Sequence, residues 1–166
     1  MKAMLLATAA AVLAGGVLCA SAGYPAEPDA SALYGKCFSR TYDAAHLAQH
    51  PGQRVTAMSV QFQEFEDDLL VSVVYTLRYG TKFGFSGACY TKVEGGVRCD
   101  ACVNDSCESS GERFKILWSG ADSVRLVNDE TGMLAKNAEG GRDYLAADGE
   151  HGEFLLRPGT AEDCAW

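Results

Sequence analysis

Residues 56–79 read TAMSVQFQEFEDDLLVSVVYTLRY, and their periodicity decides the fold class. Thr56, Met58, Val60 and Phe62 fall on one side of a period-two repeat, with Gln61 and Gln63 on the other. Glu64 to Asp68 form an acidic interruption, after which Val71, Val73, Tyr75, Leu77 and Tyr79 alternate with Ser72, Thr76 and Arg78. Successive side chains of a strand point to opposite faces, so each run is a half-buried strand and the two predict an antiparallel hairpin.

The pattern continues toward the C-terminus. Phe83 to Lys92, Val97 to Val103, Phe114 to Trp118 and Val124 to Val127 read as strands separated by turn chemistry, including Glu94-Gly95-Gly96 and Ser119-Gly120-Ala121-Asp122. Met133 to Ala135, Tyr144 to Ala147 and Phe154 to Leu156 carry a weaker signal for three more. Toward the N-terminus, Tyr34 to His50 holds the single helical candidate, capped by Ser39 or Thr41, with Asp43 in its first turn and Pro51-Gly52 ending it. The expected fold is all-β with one short N-terminal helix, an antiparallel β-barrel or sandwich of about eight strands.

Residues 1–22 have the form of a secretory signal peptide. Lys2 precedes an apolar run from Met4 to Leu18, shorter than the roughly 20 residues of a spanning helix. Ala20-Ser21-Ala22 supplies the small residues of a cleavage site, so processing is expected after Ala22. Lipoprotein processing at Cys19 is disfavoured because Gly16 and Leu18 stand where a Leu and a small residue belong. Residues 23–33, with Pro25 and Pro28, read as a flexible leader and residues 34–166 as a single β-rich domain. Export places the chain in the periplasm or outside the cell.

The chain of 166 residues has 14 basic and 22 acidic side chains, a net charge of −8. Cleavage removes one basic residue, Lys2, leaving 13 against 22, or −9. Nucleic acid and anionic membrane surfaces would repel such a protein, whereas a cationic protein would be attracted. No later apolar run is long enough to span a bilayer, so no membrane insertion is expected; the expected state is a monomer.

Cleavage also turns seven cysteines into six: Cys37, Cys89, Cys99, Cys102, Cys107 and Cys164. An even count in an exported chain predicts three disulfides. A two-residue Gly95-Gly96 hairpin loop pairs Glu94 with Val97 and brings Cys89 opposite Cys102. A three-residue loop aligns no cysteines, and a register slip would instead permit Cys89 with Cys99. The favoured set is Cys37–Cys164, Cys89–Cys102 and Cys99–Cys107. Cys99-Asp100-Ala101-Cys102 also has redox or half-zinc-site spacing, but it leaves a hairpin rather than opening a helix and has no second such pair.

His46 and His50 are four residues apart on the predicted helix, a spacing that could present two nitrogens to one metal ion, with His151 or a carboxylate as third ligand. Leu47 occupies the position where a zinc-helix protease carries its general-base Glu. The competing reading is a packed or hydrogen-bonded His46 and a His50 that closes the helix. Glu64, Glu66, Asp67 and Asp68, and then Asp129 and Glu130, are carboxylate clusters in predicted turns rather than a pair held across a cleft. No Gly-x-Ser-x-Gly elbow occurs. Tyr75, Tyr79, Phe83, Phe85 and Tyr90 are expected in the core, although a barrel of this size can enclose a small apolar ligand.

Cys37-Phe38-Ser39-Arg40-Thr41-Tyr42, His46-Leu47-Ala48, His50-Pro51 and Gln53 to Val60 together resemble the opening of small exported bacterial proteins of uncharacterised function. Gly87-Ala88-Cys89, Arg98-Cys99, Cys107-Glu108 and Phe154-Leu155-Leu156-Arg157 to Cys164 are similar to the rest of that pattern. The resemblance implies an exported β-rich domain and no activity. Periplasmic lysozyme inhibitors, acidic disulfide-bonded β-barrels that act on a cationic enzyme, share the charge, size class and compartment but supply no inhibitory loop motif to carry over. The sequence therefore points to a non-enzymatic exported binding or inhibitory domain with a cationic protein partner and no cofactor. The alternatives are a periplasmic metal-binding protein using His46 and His50, and an enzyme whose site is assembled only in space.

Overall fold

A computed structural model describes residues 30–66, 68–102, 109–120, 122–129 and 131–165. The quoted stretch folds as the hairpin its alternation predicts. Strands β2 (Val55–Phe65) and β3 (Asp68–Leu77) pair antiparallel from Val55↔Leu77 to Phe65↔Asp68. The reversal needs only two residues, and Glu66 takes a positive φ of 56°, the left-handed conformation that matches the twist of a tight hairpin.

The other strands are β1 (Cys37–Thr41), β4 (Lys82–Val93), β5 (Gly96–Cys102), β6 (Ser109–Trp118), β7 (Val124–Asn128), β8 (Met133–Lys136), β9 (Arg142–Leu145) and β10 (Glu153–Pro158). The order β3-β2-β1-β10-β7-β6-β5-β4 returns to β3 through a β3–β4 ladder, so eight strands close an antiparallel barrel. Full closure leaves those eight strands no free edge, which a sandwich would retain. Register shifts at Val55/Ala57, Cys89/Thr91 and Asp100/Cys102 give the long strands the local bends that closure requires.

The barrel interior is filled. Val60, Phe62, Val73, Tyr75, Phe114, Ile116, Leu126, Phe154 and Leu156 are all at most 1% exposed within one cluster, so the apolar-ligand cavity that such a barrel could contain is occupied by side chains. The outward positions include Gln61, Ser72, Ser86, Arg98, Lys115 and Arg125, each at least partly exposed. A wall that is polar outside and apolar inside is the reverse of a lipid-facing barrel. Among the described residues no helix is long and apolar enough to cross a membrane.

The β8–β9 hairpin extends the sheet from β4 through the ladder pair Gly84↔Lys136, and its Met133, Ala135 and Leu145 enter the core. A polar clasp holds it. Arg54 pairs with Asp143 of β9, the Tyr75 hydroxyl donates to Asp143 Oδ2 at 2.9 Å, and Asn128 Nδ2 donates to the Leu145 carbonyl at 2.9 Å. Burial, and then the hydrogen bond to Asp143, push the Tyr75 phenol well above its ordinary value.

Three sequence expectations need correction. The helix within Tyr34–His50 is confined to α1 (Ala44–Gln49), and Ser39 and Thr41 lie in β1 instead of capping it. Asp43 is the cap, accepting the His46 N–H at 2.7 Å. The preceding residues are extended because β1 fills the gap between β2 and β10, with Phe38 buried. Second, the last part of the supposed leader, Ala30–Leu33, forms a 3-10 turn whose Leu33 enters the core.

The third correction concerns the cysteines. Cys37 bonds to Cys164 as expected, but Cys89 bonds to Cys99 rather than to Cys102. The β4–β5 loop is Glu94-Gly95, giving Val93↔Gly96, and the bulge at Tyr90 shifts the ladder once more to Cys89↔Cys99. The loop sits one residue early: Gly95, at a φ of 77°, takes its second position, and Gly96 begins β5 packed closely on the Ile116 backbone of β6. The bonding of Cys99 removes the Cys99–Cys107 expectation. Cys102 is also disulfide-bonded, to a partner outside the described residues, where Cys19 and Cys107 lie.

Candidate functional site

The predicted histidine pair comes together, but as a stack. The Arg40 guanidinium lies 4.6 Å from the Tyr42 ring centre, Tyr42 stacks on His46 at 4.7 Å, and His46 stacks on His50 at 4.3 Å. The column arises because Arg40 and Tyr42 share a face at the end of β1 and α1 carries its two histidines one turn apart above them. Burial lifts the Tyr42 phenol while Arg40 pulls it back. His46 Nε2 is 3.1 Å from Gln53 Oε1, and His50 Nδ1 is 3.8 Å from Glu150 Oε1.

This arrangement opposes chelation. The planes of His46 and His50 are only 22° apart, and imidazole lone pairs lie in the ring plane, so near-parallel stacked rings do not direct two lone pairs at one point. His151 does not complete a site either. It is buried, its Nε2 accepts the Arg54 backbone N–H at 3.0 Å, and its Nδ1 lies 3.3 Å from Asp148 Oδ1. The lone pair that a metal would need is already used, which also fixes the neutral tautomer with its proton on Nδ1. Among the described residues no three His, Cys, Asp or Glu side chains are grouped to hold a metal ion.

The acidic turns are separated. Glu64, Glu66 and Asp68 are exposed at the β2–β3 tip, with Asp67 outside the described residues. Asp129 is 3.9 Å from Lys115, and Glu130 is outside the described residues. Of the aromatics expected in the core, Tyr75, Phe83 and Phe85 are buried there, but Tyr79 is 71% and Tyr90 is 55% exposed. Tyr79 lies beyond the end of β3, where alternation no longer dictates direction, and Tyr90 follows the inward Cys89 and so faces out.

The exposure of Tyr90 creates a surface that was not anticipated. Phe65, 59% exposed, stands opposite Asp68 at the end of the β2–β3 ladder. Leu69↔Cys89 in the next ladder places Tyr90 beside Asp68, and Ala88↔Asp100 brings Asp100 to its other side. Burial, and then the charges of Asp100 and Asp68, push the Tyr90 phenol above its ordinary value. Two aromatics and two carboxylates thus share an outer wall at one end of the barrel. The sequence signal for Phe65 is its parity: it belongs with outward Gln61 and Gln63, not with inward Val60 and Phe62.

The chain matches no family model, no curated protein and no solved structure.

Proposed function

We propose that the mature chain is an exported, non-enzymatic binding domain that docks a cationic protein through the wall bearing Phe65, Asp68, Tyr90 and Asp100. The observation that carries this reading is the exposure of Phe65 and Tyr90, at 59% and 55%, beside those two carboxylates. Large aromatics supply most of the binding energy at protein interfaces, and surrounding acidic charge accelerates encounter with a basic partner. A chain with 22 acidic and 14 basic side chains reinforces that steering over its whole surface.

Export to the periplasm or beyond is part of the proposal. It is supported by the apolar leader of residues 1–22 and by bonded cysteines, which persist in oxidising compartments. The domain acts as a monomer in this reading. The test is surface plasmon resonance with immobilised mature protein against a lysozyme and a cytochrome c as cationic probes and serum albumin as an acidic control. Saturable binding to a cationic probe is expected, weakening steeply with salt and dropping at least about tenfold in Phe65→Ala or Tyr90→Ala. Equal binding to albumin, no saturable binding to either cationic probe, or indifference to both substitutions would overturn the proposal.

A further inference from the structure

A second surface lies where the sheet runs out beside the first and last strands. β10 leaves the barrel after Pro158, and β1 meets it through only two residue pairs, Phe38↔Pro158 and Ser39↔Arg157. An open groove of about 390 Å³ follows, between the start of β1 and the β6–β7 turn. Trp118, partly buried at the end of β6, lines it together with Lys36, Gln61, Asp122 and Ser123.

Three properties of this groove select a chemistry. Its walls are preformed: the Cys37–Cys164 bond and the Gly159 N–H donated to the Cys37 carbonyl at 2.9 Å hold one side, and the Trp118 N–H donated to the Gly95 carbonyl at 2.7 Å holds the other. Its polar side chains are uncommitted, since Lys36, Gln61, Asp122 and Ser123 make no side-chain hydrogen bond or ion pair among the described residues. Its charges balance, one Lys against one Asp, so neither an anion nor a cation is preferred.

We propose that this groove binds a neutral saccharide of one or two pyranose rings, stacked on the Trp118 indole and hydrogen-bonded by Asp122, Gln61, Ser123 and Lys36. A pyranose has an apolar C–H face that suits an aromatic ring and a rim of hydroxyls that both donate and accept. Asp122 accepts, Lys36 donates, and Gln61 and Ser123 do both. The volume is at the lower end of the roughly 300–1,000 Å³ of small-ligand sites, which favours a short ligand.

The experiment is a ¹H–¹⁵N NMR titration of the oxidised mature protein with cellobiose, chitobiose and maltose, using glycerol as polyhydroxy control. The indole resonance of Trp118 is assigned by its loss in Trp118→Phe. A saturable shift of that indole and of the Asp122 and Ser123 amides is expected with at least one disaccharide and not with glycerol. Asp122→Asn, on an exposed turn, should weaken it about tenfold with an otherwise unchanged spectrum, and Trp118→Ala should abolish it. No saturable shift with any disaccharide, an equal response to glycerol, or full binding by Asp122→Asn would overturn the assignment. Phe65→Ala and Tyr90→Ala should leave the titration unchanged, which separates this groove from the docking wall.

Discussion

The two disulfides with both partners described close loops of very different length, and that difference sets an order of stabilities. Cys37 and Cys164 are 127 residues apart, Cys89 and Cys99 only 10. If a crosslink acts by restricting the unfolded chain, loop-closure entropy gives about 5 kcal/mol for the long loop and about 2.7 kcal/mol for the short one. Burial argues for the opposite order: Cys89 and Cys99 are both buried, whereas in the other pair Cys164 is buried but Cys37 is partly exposed, so truncation to alanine removes somewhat more packing from the short pair. The double variants Cys37→Ala/Cys164→Ala and Cys89→Ala/Cys99→Ala avoid stray thiols and separate the two mechanisms. With a guanidinium m-value of roughly 4 kcal/mol/M, the denaturation midpoint should fall by roughly 1.2 M for the first and roughly 0.7 M for the second. A larger fall for the Cys89/Cys99 variant would refute the chain-entropy reasoning and make local packing the dominant role of these bonds.

Two further changes probe the barrel itself. Tyr75→Phe removes the hydroxyl donated to Asp143 and leaves that carboxylate one partner short, at a cost of about 1–3 kcal/mol, seen first as faster amide exchange across β8 and β9. Because the Tyr75 phenol is raised in the folded state, its contribution is fully present below the unfolded value of about 10 and is lost as pH rises above it. Wild-type stability should therefore fall above about pH 10, and by less in Tyr75→Phe; parallel alkaline profiles would contradict the burial account. Gly96→Ala drives a Cβ to 2.0 Å from the Ile116 carbonyl oxygen, where backbone cannot yield cheaply. It should cost about 3 kcal/mol or more by thermal denaturation, and a loss below about 1 kcal/mol would show that β5 and β6 can separate there.

The strands were legible wherever one face meets the core and the other meets water, as in Met58 to Phe62 against Gln61 and Gln63. β1 was hidden because its five residues include only one buried side chain, Phe38, and lie beside residues with good helix chemistry. Tertiary pairing with β2 and β10 overrides that local preference. Closure was invisible because it depends on the β3–β4 and β1–β10 ladders, and strand periodicity does not say which edges meet. The cysteine register failed for a smaller reason: the loop falls at Glu94-Gly95, one residue early, and the bulge at Tyr90 then moves every later pairing by a further position. His46 and His50 were correctly placed on one helix face, but spacing alone does not distinguish chelating rings from stacked ones. The proposed docking wall is assembled from Phe65, Asp68, Tyr90 and Asp100 on four strands, and only parity hinted at two of its members.

The seam between β1 and β10 also dictates a folding order. Phe38 and Ser39 must wait for Arg157 and Pro158, near the other end of the chain, before the barrel can close. Hairpins such as β2–β3 and β4–β5 join neighbours and can form within microseconds, whereas a contact across nearly the whole sequence pays its ordering cost last. Until the last residues of the chain are in place, the other strands can form only an open, curled sheet with its apolar face uncovered. The Cys37–Cys164 bond, beside that seam, can form only once the two ends have met, so it acts as a latch that records completed closure.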